Sequence, residues 1–132
     1  MPDLNVPKRS LNLSKIDIQT DEQLLVIAGR ELRLMEILEE EDRVNADIKS
    51  TEARATAAEG ELKKTDAGTI AAKRAEIRVG EQRLAIKQKR YRLLELDDER
   101  GVVLETVEAS KKHIGMLEAE KGQQLSLSVK ES

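Results

Sequence analysis

The sequence predicts a mainly α protein, a long antiparallel helical hairpin or coiled coil with short β-strands at both chain termini. Three observations predict it. A charged, helix-forming stretch runs from Asp21 to Lys121. Its best break is Thr65-Asp66-Ala67-Gly68-Thr69, where glycine and capping residues cluster. Two flanking segments alternate apolar and polar residues with the period of a strand.

Composition narrows the choice. The 132 residues leave room for one domain. Charged residues make up 37% of the chain in nearly balanced signs, with a net charge of −3. Balanced charge with helical periodicity marks a coiled coil or long helix. There is no Phe or Trp and a single Tyr, Tyr91, so the aromatic groups that dominate ordinary cores are missing. Disordered chains share that trait, but the apolar residues of the central stretch are too regularly spaced for disorder. The absence of Cys excludes disulfides, and a lone His excludes a His cluster for zinc. Residues 1–20 hold no continuous apolar run, and the run from Leu24 to Ala28 is far shorter than a membrane span. The expectation is a cytoplasmic protein or part of an intracellularly assembled particle, with no signal peptide or membrane span.

The elements follow in order. Residues 1–19 read as an extended arm with a short strand: Pro2 and Pro7 favour extension, and Leu11, Leu13, Ile16 and Ile18 alternate with polar residues. The alternation slips by one residue at Ser14-Lys15, which a bulge would explain. Thr20-Asp21-Glu22-Gln23 has the capping-box pattern and opens helix one, 20–64. The turn is 65–69, with Thr69 or Asp66 available to cap the next helix. Helix two, 70–121, stops at Lys121-Gly122, where glycine can take the left-handed conformation. Residues 123–132 form a C-terminal strand or tail, with Leu125, Leu127 and Val129 alternating with Ser126 and Ser128. Isolated strands are unstable in water, so these must pair with each other or with another chain.

Register comes from two patterns. Ile70, Ile77, Leu84 and Tyr91 recur every seven residues on helix two. Helix one carries Val44, Ile48, Thr51, Ala55, Ala58 and Leu62 at spacings of three and four. Folding about the turn sets Leu62 near Ile70, Ala55 near Ile77, Ile48 near Leu84, and Ala53 opposite Gly80 for close backbone approach. Charge agrees: the acidic run Glu39-Glu40-Glu41-Asp42 meets the end of the basic stretch 73–92, near Arg90 and Arg92. Such pairs bias register more than they stabilise.

The hairpin is uneven. Toward its tip the residues are small. Toward its base, Leu24 to Ile27, Leu32, Leu34, Met35, Ile37 and Leu38 spread around most of the helix, as do Leu93, Leu94, Leu96 and Val102 to Leu104 opposite. A two-helix seam hides one stripe per helix, so the rest needs another surface. The partner interface is therefore expected at Leu25, Leu32, Met35, Leu38, Val103 and Val107 for helical docking. Leu11, Leu13, Leu125, Leu127 and Val129 are expected to act by strand pairing.

Chemistry is thin. Nothing places Asp or Ser beside His113, so no catalytic set can be argued. The turn lacks the glycine spacing and lysine of a phosphate loop. Consecutive helical carboxylates at 39–42 point in different directions and read as a solvated face. No catalytic, cofactor-binding or metal-binding residue is assigned, no cofactor is expected, and the chain is not expected to be an enzyme.

The overall plan, a coiled-coil hairpin on a small β-rich base, resembles the prefoldin type of chaperone. There the strands lie between the helices, whereas here they lie at the chain ends, and no motif is shared. The expected function is a non-enzymatic structural or assembly protein that oligomerises, or docks on a larger protein assembly, through its apolar base and terminal strands. One alternative is a prefoldin-like chaperone or client-binding module gripping through an Ala-rich tip at Ala55 and Ala58. Another is a nucleic-acid accessory protein using Arg78, Arg83, Lys87, Lys89 and Arg90. A membrane role has no Trp or Phe anchors to support it.

Overall fold

The computed structural model describes the backbone of residues 5–130 and the side chains of residues 10–127. It holds two helices, α1 (Asn5–Lys63) and α2 (Ile70–Lys130). The chain divides into two units, each with a segment of both helices. Unit 1 comprises Met1–Leu34 and Gly101–Ser132, and unit 2 comprises Met35–Arg100.

α1 begins earlier and α2 ends later than expected, and the described residues contain no strand. Thr20 does not open α1. It lies inside the helix, its hydroxyl donating to the Ile16 carbonyl at 2.8 Å. Pro7 falls in the first turn, where its missing N–H removes no intrahelical bond. Gly122 does not stop α2, which continues through Leu125, Leu127 and Val129. The parts of the two strands at 1–4 and 131–132 lie outside the described residues.

The turn is as the sequence implies. The end of α1 tightens through Lys64 N–H to the Glu61 carbonyl (3.1 Å) and Thr65 N–H to the Leu62 carbonyl (3.2 Å). Gly68 then takes φ +79°, a left-handed conformation that glycine adopts without strain. Thr69 is the cap: its hydroxyl accepts the Ala72 N–H at 3.1 Å, satisfying one orphan donor of α2.

The inward positions repeat with coiled-coil spacing, and heptad letters a to g describe them, a and d facing the other helix. In unit 2, Ile37, Ile48, Thr51, Ala55 and Ala58 of α1 are buried at such positions, as are Ala75, Val79 and Leu96 of α2. In unit 1 the buried set is Ile16 and Ile27 with Val103, Val107, Ser110 and Leu117. The seam of α1 through Ile48, Thr51, Ala55 and Ala58 is the one read from the sequence.

The seam of α2 is not. Ile70, Ile77, Leu84 and Tyr91 are all more than half exposed, at 74%, 54%, 56% and 64%. They occupy consecutive f positions, on the side of α2 away from its buried a and d residues. Ala75, Val79 and Leu96 take the place expected for them. Ala55, between Glu52 and Glu59, therefore falls beside the stretch of α2 between Arg83 and Arg90, later than Ile77, and Ile48, between Glu41 and Glu52, beside that between Arg90 and Arg100, later than Leu84. Gly80 faces open space, so the expected close approach of Ala53 does not occur there. Gly29 and Gly101 in unit 1 likewise have nothing near a would-be Cβ.

Candidate interaction surfaces

In unit 2, charges flanking the seam pair across the helices. Arg83 donates to Glu59 at 2.8 Å and Arg90 to Glu52 at 3.1 Å, each pair joining two e positions. Arg92 binds Glu40 with both Nε (2.8 Å) and Nη2 (3.0 Å), and Arg78 lies 3.6 Å from Glu61, each joining two g positions. Facing e with e and g with g is the antiparallel arrangement. The two-point bond to Glu40 also raises the Arg92 pKa above its ordinary value. Within the seam, Arg100 bonds Glu41, and Lys89 Nζ reaches the Thr51 hydroxyl at 3.2 Å. Thr51 is itself buried and donates to the Asp47 carbonyl at 2.7 Å. In unit 1, Lys121 pairs with Asp17 at 3.0 Å.

These contacts change the reading of the basic stretch. Arg78, Arg83 and Arg90, expected to serve nucleic acid in the accessory reading, are held by acids of α1. Their placement sets the helix register.

The residues assigned to helical docking separate into two groups. Leu25, Leu32, Met35 and Leu38 are exposed, at 73%, 58%, 65% and 59%. Val103 and Val107 are buried in the unit 1 seam and offer nothing to a partner. Of the residues assigned to strand pairing, Leu11, Leu125 and Leu127 are exposed on helices, and Leu13 is half-buried. They cannot act as strand edges, because their backbone hydrogen bonds are made along the helix. The side chain of Val129 lies outside the described residues.

The exposed residues fall into two seven-residue repeats, of which the sequence showed the one on α2, there assigned to the seam. In unit 1, Leu11, Ile18, Leu25 and Leu32 recur every seven residues at f positions of α1. In unit 2, Ile70, Ile77, Leu84 and Tyr91 do the same on α2. Each stripe lies opposite its own helix's buried face. The other helix of each unit lacks one: the corresponding positions are Glu105, Lys112, Ala119 and Ser126 in unit 1, and Glu39, Ala46, Ala53 and Gly60 in unit 2. Writing heptads along residues 11–32 as well would have exposed the repeat on α1.

The surface depressions described are shallow. One lies at the turn, lined by Gly68, Thr69, Ile70 and Lys73; another lies between Arg54, Ala58, Arg78 and Gln82. Neither brings a nucleophile to a base. His113 is exposed. Among the described residues no group of three or more His, Cys, Asp or Glu side chains could hold a metal ion, and no helix is long and apolar enough to cross a membrane. Compared with protein-family models, curated proteins and solved structures, the chain gives no match.

Proposed function

We propose that this chain is a non-enzymatic structural or assembly protein, a coiled-coil hairpin that binds copies of itself or a larger protein body through apolar stripes on its outer faces. The observation that carries the reading is the pair of exposed heptad repeats. Isolated exposed leucines are ordinary, but eight large apolar residues at seven-residue spacing on two helices are not scattered. Covering one such side chain is worth about 1.5–3 kcal/mol. Each helix is then two-faced, with one seam for its hairpin partner and one for something else. The client-binding alternative has less support, because Ala55 and Ala58 lie in the seam. It also loses the β-rich base on which the likeness to prefoldin rested.

The test is mass by light scattering, with circular dichroism on the same samples, for the unaltered chain and for Leu25→Glu and Ile77→Glu. The reading expects assembly above the monomer mass, reduced by either substitution while helicity is retained. A monomer at every concentration, unaffected by both substitutions, would overturn self-assembly and leave only docking on a different protein.

A further inference from the structure

Resting on that assembly reading, we infer that the partner of each outer stripe is the opposite stripe of a second copy: α1 Ile18, Leu25 and Leu32 of one protomer pack along α2 Ile70, Ile77 and Leu84 of another. The flanking charges select this pairing. Positions b and c border the f stripe. Beside the α1 stripe they hold Asp21 and Glu22 against Lys15; beside the α2 stripe they hold Lys73, Arg74 and Lys87 against Glu81. All are exposed. Arg78, Arg83, Arg90 and Arg92 beside the unit 2 seam are paired with acids of α1, and Lys73 pairs with Glu76 on its own helix, whereas among the described residues Asp21, Glu22, Arg74 and Lys87 have no ion-pair partner.

Matching like stripes is penalised. Antiparallel full overlap faces b with b and c with c, so two α2 stripes set Lys73 against Lys87 twice, and two α1 stripes set Asp21 against Asp21 and Glu22 against Glu22. Unlike stripes in full parallel overlap, which faces b with c, place Lys73 by Lys15 and Glu81 by Asp21. A one-heptad parallel offset removes these clashes. Ile18 then faces Ile70, Leu25 faces Ile77 and Leu32 faces Leu84, while Asp21 meets Arg74 and Glu22 meets Lys73. The same offset sets Gly29 against Gly80, and each has open space where a side chain would stand. Apolar layers, charges and small residues coincide in one register, as in a coiled-coil seam. Each copy offers one stripe of each kind, so the contact is head-to-tail, and it repeats until it closes into a ring or runs on as a filament.

The chain has no cysteine, so single cysteines report cleanly. Differently tagged full-length Leu25→Cys and Ile77→Cys chains are mixed, oxidised and read by mass spectrometry, each first checked for helicity. The expected result is a several-fold excess of the mixed disulfide over either homotypic one, and over the Leu25→Cys/Leu84→Cys product. Asp21→Lys with Glu22→Lys removes that excess, and Lys73→Glu with Arg74→Glu in the other copy restores it. Homotypic products, or preference for Leu84, in an oligomer that Leu25→Glu disperses would overturn this pairing and leave the assembly reading standing. A monomer insensitive to Leu25→Glu and Ile77→Glu overturns both this pairing and self-assembly.

Discussion

Units 1 and 2 are built from the same two helices but solve their seams differently. Unit 1 uses branched aliphatics, with Ile16, Ile27, Val103, Val107 and Leu117 buried. Unit 2 has Ile37 and Leu96 fully buried, then gives way to Thr51, Ala55, Ala58 and Ala75 toward the turn. Small seam residues bury little area, and in that stretch Glu52, Glu59 and Glu61 pair with Arg90, Arg83 and Arg78. Charge there specifies alignment more than it stabilises. The outer stripes also change helix, lying on α1 in unit 1 and on α2 in unit 2. A helix surface can therefore carry two independent instructions, and the strength of an apolar repeat does not say which face it serves.

That comparison can be broken at its strongest point first. Leu96→Ala removes a fully buried side chain and is expected to destabilise by about 2–5 kcal/mol, read as a lower thermal midpoint by circular dichroism. Equal truncation at exposed Leu94 should leave the midpoint nearly unchanged. Ala75→Leu tests whether the small seam is needed, since Ala75 is 1% exposed; overpacking is expected to cost about 1–3 kcal/mol. If Ala75→Leu instead stabilises, the seam near the turn is loose. Thr69→Ala removes the cap of α2, with an expected loss of about 1 kcal/mol in urea unfolding. The smallest effect belongs to Arg83→Ala: this exposed pair is worth only about 0.2–1 kcal/mol, and salt should erase the difference.

Much of this was legible in the sequence, for identifiable reasons. Gly68 and Thr69 announce the turn because glycine and a capping hydroxyl have few other uses between two helix-forming stretches. The seam of α1 from Ile48 to Ala58 was readable, as was the meeting of the acidic run with Arg92. The α2 seam was not, because Val79 is followed inward by Gln82, Ile86 and Lys89, a weaker repeat than Ile70, Ile77, Leu84 and Tyr91 on the outside. The N-terminal strand was misread for a related reason. Leu13 and Ile16 face the seam while Leu11 and Ile18 belong to the outer stripe, and two interleaved heptads imitate a period of two. The apparent slip at Ser14-Lys15 is where they change over. The excess of apolar surface on α1 was plain from composition, but Val103 and Val107 could not be told from docking residues without knowing which face turns inward.

The central claim is that each helix has two apolar faces with separate duties. It is tested most directly in unit 1, by circular dichroism and light scattering on the same samples of Val103→Glu and Leu25→Glu. Val103→Glu is expected to lose helicity and thermal stability, because it places a charge in the buried seam. Leu25→Glu is expected to keep both and to lower only the assembled mass. A Leu25→Glu chain that unfolds like Val103→Glu, or that assembles unchanged, would contradict the account.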